Sequence, residues 1–495
     1  MVARYSSHSY DRRVTYTQRG GVMNRQQLSD MCKILLFEIF HLIFTEIHRP
    51  ASRAGERESV PPLFESKTMS NAPLIIRGGS PIRGTLEVNP SKNSALPIIA
   101  ASLLTAEPVV LHGIPRLSDV EVILEIVASL GARWTWVGPH SLSIQTPAIT
   151  NTETPYSLVA KMRASFEVLG PLLARAGEAK VSMPGGCTFG PRPVDQHVKA
   201  FRAMGAAVVE ENGDFQVIRD HALSGRVVFD IKTVGGTRNA MMAACLGTGM
   251  VRLENCALEP DVIDLANFLN TLGADIRGAG SSSIEIQGVP TLHGGEYRVM
   301  PDRIEAGTWM LAAAASRGTL TLENVNVEHM RSLTARLIES GVNVLELDGT
   351  TLSIDASKGM LKPLTIQAVE FPGFPTDLQP PMGAFLATVP GTSKISDRVY
   401  PTRLGYAQEL ARMGAKAEVF DSVLVIEGGP LRAAPVKAAD IRAGAALVIA
   451  AIAAEGETRI EGVEFLNRGY ERLEERLRAI GVDVGRTEPI LALAI

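Results

Sequence analysis

A chain of 495 residues has room for two or three domains of ordinary size, and its net charge of -4 excludes a general nucleic-acid binder. With 45% hydrophobic and 21% charged residues it can fill a large core, so any anionic ligand must be met by local clusters of cations. Cys32, Cys187, Cys245 and Cys256 form no CxxC pair and show no ligand spacing with histidine. A zinc site or disulfide scaffold is therefore not expected, and a reducing, cytoplasmic compartment fits best.

Residues 1–70 differ from the remainder. They carry Arg12, Arg13, Arg19, Arg49, Arg53 and Arg57 among polar residues without repeated apolar periodicity, which predicts a disordered extension or a mis-assigned start. The apolar run from Ile34 to Phe44 is too short and too interrupted to span a membrane, so no membrane association is expected. Met69 is a credible beginning, because Leu74-Ile75-Ile76-Arg77-Gly78-Gly79 then reads as a strand and turn.

From residue 91 a unit recurs. Its marker is an amphipathic helix closed by glycine and followed at once by a strand, at Gly131, Gly205, Gly273, Gly341, Gly414 and Gly481, spaced 67–74 residues apart. Each unit also holds an earlier helix rich in small residues, such as Ala312 to Ala315 or Ala450 to Ala454, too poor in charge to lie on a surface. Helix, strand, helix and two strands, three units per half, predict two similar α/β domains with helices inside, sheets outside and a cleft between them. Lys92, Arg163, Gly235, Glu305, Asp377 and Arg442 mark the starts of the six inner helices, 65–72 residues apart. Such ends attract phosphate or carboxylate through their dipoles and free N–H groups, the alternative being ordinary caps.

One loop stands out, PGGCTFGPRPVDQH at 184–197. Gly185, Gly186 and Gly190 free the backbone, and Pro191 and Pro193 stiffen the residues after them. Cys187 is either a structural thiol in a surface turn or a reactive one whose pKa is lowered by Arg192 and His197.

Together with this loop, Ser91-Lys92-Asn93-Ser94-Ala95-Leu96-Pro97, Lys161-Met162-Arg163-Ala164-Ser165, Pro301-Asp302-Arg303-Ile304-Glu305, Phe374-Pro375-Thr376-Asp377, Asp440-Ile441-Arg442-Ala443 and Arg468-Gly469-Tyr470-Glu471 resemble the UDP-N-acetylglucosamine 1-carboxyvinyltransferase family, in order from about residue 72 to the C-terminus. The resemblance implies two inside-out α/β barrel domains of three repeated units, 92–300 bearing the cysteine loop and a discontinuous 71–91 with 301–495. It places the strand near residue 75 in the second domain and makes the two crossings a hinge.

It also implies transfer of the enolpyruvyl group of phosphoenolpyruvate to the 3-hydroxyl of UDP-N-acetylglucosamine in peptidoglycan synthesis, with no metal, organic cofactor or obligate protein partner. By residue matching, Asp377 resembles the base at the sugar hydroxyl and Cys187 the acid, while Lys92, Arg192 and Arg468 resemble the clamp on phosphate and carboxylate. Asn93, Arg163, Arg192, Pro193, Val194, Asp195, Gln196, Thr233, Val234, Gly235, Asp377 and Val399 would hold the UDP-sugar, with Arg403 and Arg442 near the reacting groups. The chain departs from the family's usual pattern at Pro191, at Gln196, and at Pro401-Thr402 before Arg403.

A 5-enolpyruvylshikimate-3-phosphate synthase would share the fold and donor, but the residues after Arg163 read Ala-Ser-Phe-Glu-Val-Leu rather than that family's Gly-Asn-Ala-Gly-Thr-Ala. A third reading is a catalytically idle binder of UDP-sugars. If Cys187 delivers a proton, Cys187→Asp retains turnover and escapes alkylation by a phosphonate epoxide, whereas Cys187→Ser loses turnover. Phosphate release and mass spectrometry of the two variants check this; an active serine variant would place the chemistry elsewhere.

Overall fold

The computed structural model describes residues 72–183 and 194–486. The expectations for residues 1–70 and for Cys187, Arg192 and Pro193 lie outside these residues. Six inner helices are buried along almost all of their length: α1 (Lys92–Ala101), α2 (Leu169–Ala176), α3 (Val234–Ala244), α4 (Arg303–Ala315), α5 (Gln379–Leu386) and α6 (Ile441–Ala453). Their composition dictates this, because a helix that is apolar all round has no face to give to water. Small residues also let them approach closely: a Cβ on Gly170 of α2 would lie 2.4 Å from the Asn239 carbonyl of α3. Tight 3₁₀ turns, Arg163–Val168 and Thr376–Leu378, lead into α2 and α5.

The glycine-capped helices form as their sequence predicts. Gly131, Gly205, Gly273, Gly341, Gly414 and Gly481 all have φ between 87° and 118°. In each case the next residue's N–H reaches back five positions, as from Ala132 to the Val127 carbonyl and from Val482 to that of Leu477, both at 3.0 Å. This is the Schellman closure, and six copies of it turn the chain from helix into strand.

Five of the six helices are followed by an antiparallel hairpin whose second strand pairs with the strand after the inner helix; after Gly481 the single described strand, Asp483–Arg486, pairs with Leu74–Gly78 instead. The predicted unit lacks one strand that the structure adds. Gly225–Val228, Gly295–Arg298, Thr365–Ala368 and Pro435–Lys437, each just before or between inner-helix starts, lie parallel at a sheet edge beside Met250–Glu254, Val109–His112, Gly391–Asp397 and Gly456–Glu461. These edge strands are only three or four residues long. Pairing rather than local periodicity defines them, so they gave little sequence signal.

Two long-range pairings close the arrangement. Gly295–Arg298 returns to Val109–His112. Leu74–Gly78 inserts antiparallel between Gly456–Glu461 and Asp483–Arg486, with Leu74 opposite both Ile460 and Arg486, where the strand near residue 75 was expected. Buried apolar side chains fall into two clusters, one spanning 95–299 and the other joining 74–88 to 304–484. The chain passes between them twice, side by side: Ser91 N–H donates to the Met300 carbonyl and Asp302 N–H to that of Asn89, both at 2.8 Å.

Leu74–Gly78 is the inner partner of two strands, so its loss would leave two unpaired edges and uncover Ile460 and Val484. A chain beginning at Met69 is expected to stay soluble and active, and one beginning at Ser80 to aggregate. Sedimentation and circular dichroism of both check this.

Candidate active site

Four of the six inner-helix starts are capped by their own side chains. Ser91 accepts from the Ser94 amide, Thr233 from that of Gly236, Asp302 from those of Ile304 and Glu305, and Asp440 from those of Arg442 and Ala443. The capping alternative thus holds at these ends, and the N–H groups so occupied are not free for a ligand. What remains available at these ends is the side chains that the first turns project.

Around Asp377 these side chains form a buried knot. Its Oδ1 accepts from Arg403 Nη1 and its Oδ2 from Arg442 Nη2, each at 2.8 Å. The aspartate side chain is 25% exposed, against 6% and 5% for the two arginines. Burial by itself would raise the Asp377 pKa, but Arg442 and Arg403 outweigh it and hold the carboxyl well below the usual range. Arg442 is correspondingly pushed up, its desolvation overcome chiefly by Asp377. Asp397 orders this knot: it accepts from Thr376 Oγ1 at 2.6 Å and from the Val399 and Tyr400 amides at 2.8 Å.

A second knot joins the two halves of the fold. Asp119, buried in the first turn of the helix Ser118–Ser129, accepts from Lys92 Nζ at 3.1 Å and from Arg468 Nε at 2.8 Å. Burial would raise the Asp119 pKa, and Lys92 and Arg468 bring it below normal. Lys92 is shifted down by desolvation, with Arg442 and Arg468 opposing its charge and Asp119 favouring it. Among the described residues Lys92 Nζ and Arg468 make no other side-chain hydrogen bond. The two knots adjoin through Arg442, so Lys92, Arg403, Arg442 and Arg468 face Asp119 and Asp377. Asp397 and Asp302 act on Arg403 and Arg442 as well, so four cations gather with four carboxylates in a largely dry place, where Lys92 and Arg468, with one side-chain hydrogen bond each, keep donors to spare.

The remaining predicted binding residues gather about α3. Arg163 is half-buried and has no ion pair or hydrogen bond among the described residues, yet it is close enough to Glu167 and His197 to shift both. Asn93 accepts through its carbonyl from Arg238 Nη1 at 3.0 Å, and Arg238 is fixed between Glu167 (2.5 Å) and Asp261 (2.8 Å). Val194 is buried at the start of the helix Asp195–Ala203. Asp195 is exposed and accepts from Gln196 Nε2 at 2.8 Å, while Gln196 also clasps Asp230 through its N–H and carboxylate. Thr233 and Val234 lead into Gly235, where a Cβ would come within 3.1 Å of His197 Nε2.

The expectation that His197 is a cation near Cys187 is corrected. Burial, then Arg163 and Arg238, push its pKa down to about 3, and its Nδ1 accepts from Asn239 Nδ2 at 3.0 Å. It is a neutral imidazole whose Nε2 carries the proton. Cys245 and Cys256 are fully buried, as expected of core residues, and burial pushes both thiols up to about 12. Asp119, Asp397 and Arg238 escaped sequence reasoning. Asp119 had one available signal, an acid in the first turn of an amphipathic helix, but that is ordinary dipole compensation.

The family model described as EPSP synthase (3-phosphoshikimate 1-carboxyvinyltransferase) matches residues 76–477, which makes the class that of the carboxyvinyl, or enolpyruvyl, transferases. The crystal structure of the enolpyruvyl transferase NikO from Streptomyces tendae is similar, with a TM-score of 0.76 and 25% identity over 84% of this chain and 99% of that one. EPSP synthase from Acinetobacter baumannii shares the fold, with a TM-score of 0.66 at 17% identity, over 84% of this chain and 100% of its own. Curated UDP-N-acetylglucosamine 1-carboxyvinyltransferases are more alike in sequence: that of Deinococcus radiodurans is 59% identical, covering 86% of this chain and 99% of its own, and that of Thermus thermophilus is 55% identical, covering 85% and 98%. The chain belongs to the UDP-N-acetylglucosamine 1-carboxyvinyltransferase family.

Asp377→Asn would leave two buried guanidiniums without their counter-charge, at a cost of about 3 kcal/mol of stability. Because the folded pKa of Asp377 is depressed, that contribution is complete above the ordinary carboxylate range and is lost only as pH falls through the lower, folded value. Denaturant unfolding of parent and variant should therefore differ by a constant amount from mildly acidic to neutral pH and converge only in strong acid.

Proposed function

We propose that Lys92, Arg403, Arg442 and Arg468 receive phosphoenolpyruvate, and that the chain transfers its enolpyruvyl group to the 3-hydroxyl of UDP-N-acetylglucosamine, releasing phosphate in the first committed step of peptidoglycan synthesis. The observation that carries this reading is the knot in which Lys92 and Arg468 share Asp119 and keep donors to spare, beside Arg442 and Asp377, in a chain of this family. Phosphate and carboxylate at opposite ends of one small molecule suit cations from the two knots, and guanidinium suits either group.

The two hydrophobic clusters support a reading as two like α/β barrel domains, 92–300 and 71–91 with 301–495, each with three inner helices enclosed by sheets. The paired crossings at 89–91 and 300–302 are then the hinge on which they close over the substrates. Arg163, Gly235 and the Nε2–H of His197 offer donors to the diphosphate of the sugar nucleotide, and the missing side chain at Gly235 leaves it room. Val194, Asp195 and Gln196, with Arg192 and Pro193, and Asn93, Thr233, Val234 and Val399 complete its pocket. Soluble substrates and the lack, among the described residues, of a helix long and apolar enough to cross a membrane accord with a cytoplasmic enzyme.

Chemically, the sugar hydroxyl adds to C2 of the enol while C3 gains a proton; loss of phosphate from C2 and a proton from C3 restores the double bond. Cys187 is assigned the proton at C3 and Asp377 the hydroxyl proton. A carboxylate held by two guanidiniums is a weak base. Asp377 accepts that proton only when Arg403 or Arg442 turns to the incoming anion, which couples base strength to donor binding.

Phosphate release from phosphoenolpyruvate is expected with UDP-N-acetylglucosamine and not with shikimate 3-phosphate; the reverse would overturn the assignment of acceptor. Lys92→Ala and Arg468→Ala should each cost about 2–5 kcal/mol in donor binding, read as a rise in KM for phosphoenolpyruvate.

A further inference from the structure

We propose that Glu471 is a positioning residue for the anion clamp, acting on the donor substrate through Arg468 and Asp119. Glu471 lies three residues beyond Arg468 and is buried, with both oxygens engaged across the gap between the two hydrophobic clusters. Its Oε2 accepts from the Arg116 backbone N–H at 2.8 Å, and its Oε1 from His140 Nε2 at 2.9 Å. Burial opposes the charge of Glu471, but His140 and the Arg116 amide outweigh it and keep the carboxyl ionised. Both of its oxygens are thus engaged within the protein.

Glu471 holds the segment that places Asp119. The Arg116 guanidinium lies 3.3 Å from the centre of the Trp136 ring and donates to the Pro139 carbonyl at 2.7 Å. The Ile114 N–H donates to the His140 carbonyl at 3.0 Å, so residues 114–117 and the turn at 138–140 move as one body. Leu117, the residue before the helix Ser118–Ser129, supplies no side-chain cap, and Asp119 comes two residues later. Two four-residue segments, 116–119 and 468–471, are thereby tied at both ends: Arg116 to Glu471, and Asp119 to Arg468. Tyr470, in the same segment, bonds Thr308 Oγ1 at 2.9 Å and Arg442 Nη1 at 3.4 Å, linking this closed ring of contacts to the Asp377 knot.

The ring is needed because Lys92, Arg442 and Arg468 repel one another. Arg468, the most exposed of the three, would drift toward water if Asp119 moved away. Removing one tie leaves every group that touches substrate in place but loosens the angle at which Arg468 meets the donor, a loss that falls on donor binding rather than on the sugar nucleotide.

The inference rests on the proposed clamp, and steady-state kinetics with both substrates separates the two. Glu471→Ala is expected to raise the KM for phosphoenolpyruvate about tenfold and to leave that for UDP-N-acetylglucosamine within about twofold. Glu471→Gln, whose carboxamide oxygen still accepts from the Arg116 amide, should recover most of the loss. In an Arg468→Ala background, Glu471→Ala should add almost nothing, because the group it positions is gone. An equal rise in both KM values, or an undiminished effect without Arg468, overturns the positioning role. If Glu471→Ala fails to fold, His140→Ala replaces it in the same comparison, with the same expected and overturning results. An Arg468→Ala enzyme with unchanged KM for phosphoenolpyruvate overturns the clamp itself, whereas an impaired Arg468→Ala with an unimpaired Glu471→Ala overturns this inference alone.

Discussion

The structure depends on the burial of six helices that have no polar face. Such helices hide their flanks easily, but their ends cannot be hidden without partners, since each first turn carries N–H groups the helix itself cannot satisfy. The chain answers with a polar cap in four of the six repeats. Ser91, Thr233, Asp302 and Asp440 cap, and beside three of those caps stand Lys92, Gly235 and Arg442, the groups proposed to meet substrate. The chemical site is in this sense the exposed end of the packing problem: the polar residues that a dry helix start requires are also the ones available for recognition.

Gathering so much charge in a dry place is costly unless it is balanced, and here buried carboxylates balance it. Asp119 and Asp377 are each shared by two cations, which keeps both carboxylates ionised and holds the cations in register. For the proposed reaction this has two consequences. The donor substrate would meet cations already held in place before it arrives. The aspartate proposed as base would stay quiet until a guanidinium leaves it, which would guard against idle proton transfer before the donor is bound.

The two hydrophobic clusters are connected in two unlike ways. At 89–91 and 300–302 two backbone crossings lie side by side, and at 116–119 and 468–471 side chains make the link. The first is covalent and short. The second is built from ion pairs and hydrogen bonds and includes Arg468, so in the proposed reaction donor binding and closure would act on the same few residues.

The repeats, the glycine closures and the starts of the inner helices were legible in the sequence, because each depends on neighbours within a turn or two: a glycine at positive φ, a cap one residue ahead, an apolar stripe at helical spacing. Lys92, Arg442, Arg468 and Asp377 were legible as members of a known pattern, and the fold brings them near one another. What tertiary structure alone decided is how these groups are paired. Asp119 meets Arg468 across 349 residues, Glu471 meets Arg116 across 355, and neither choice leaves a local trace. The neutrality of His197 likewise arises from burial beside Arg163 and Arg238, and the short edge strands exist only because a partner strand lies next to them. Local conformation is set by energies within a few residues, whereas charge state and pairing depend on which distant groups the folded chain brings close and how much water it removes from between them.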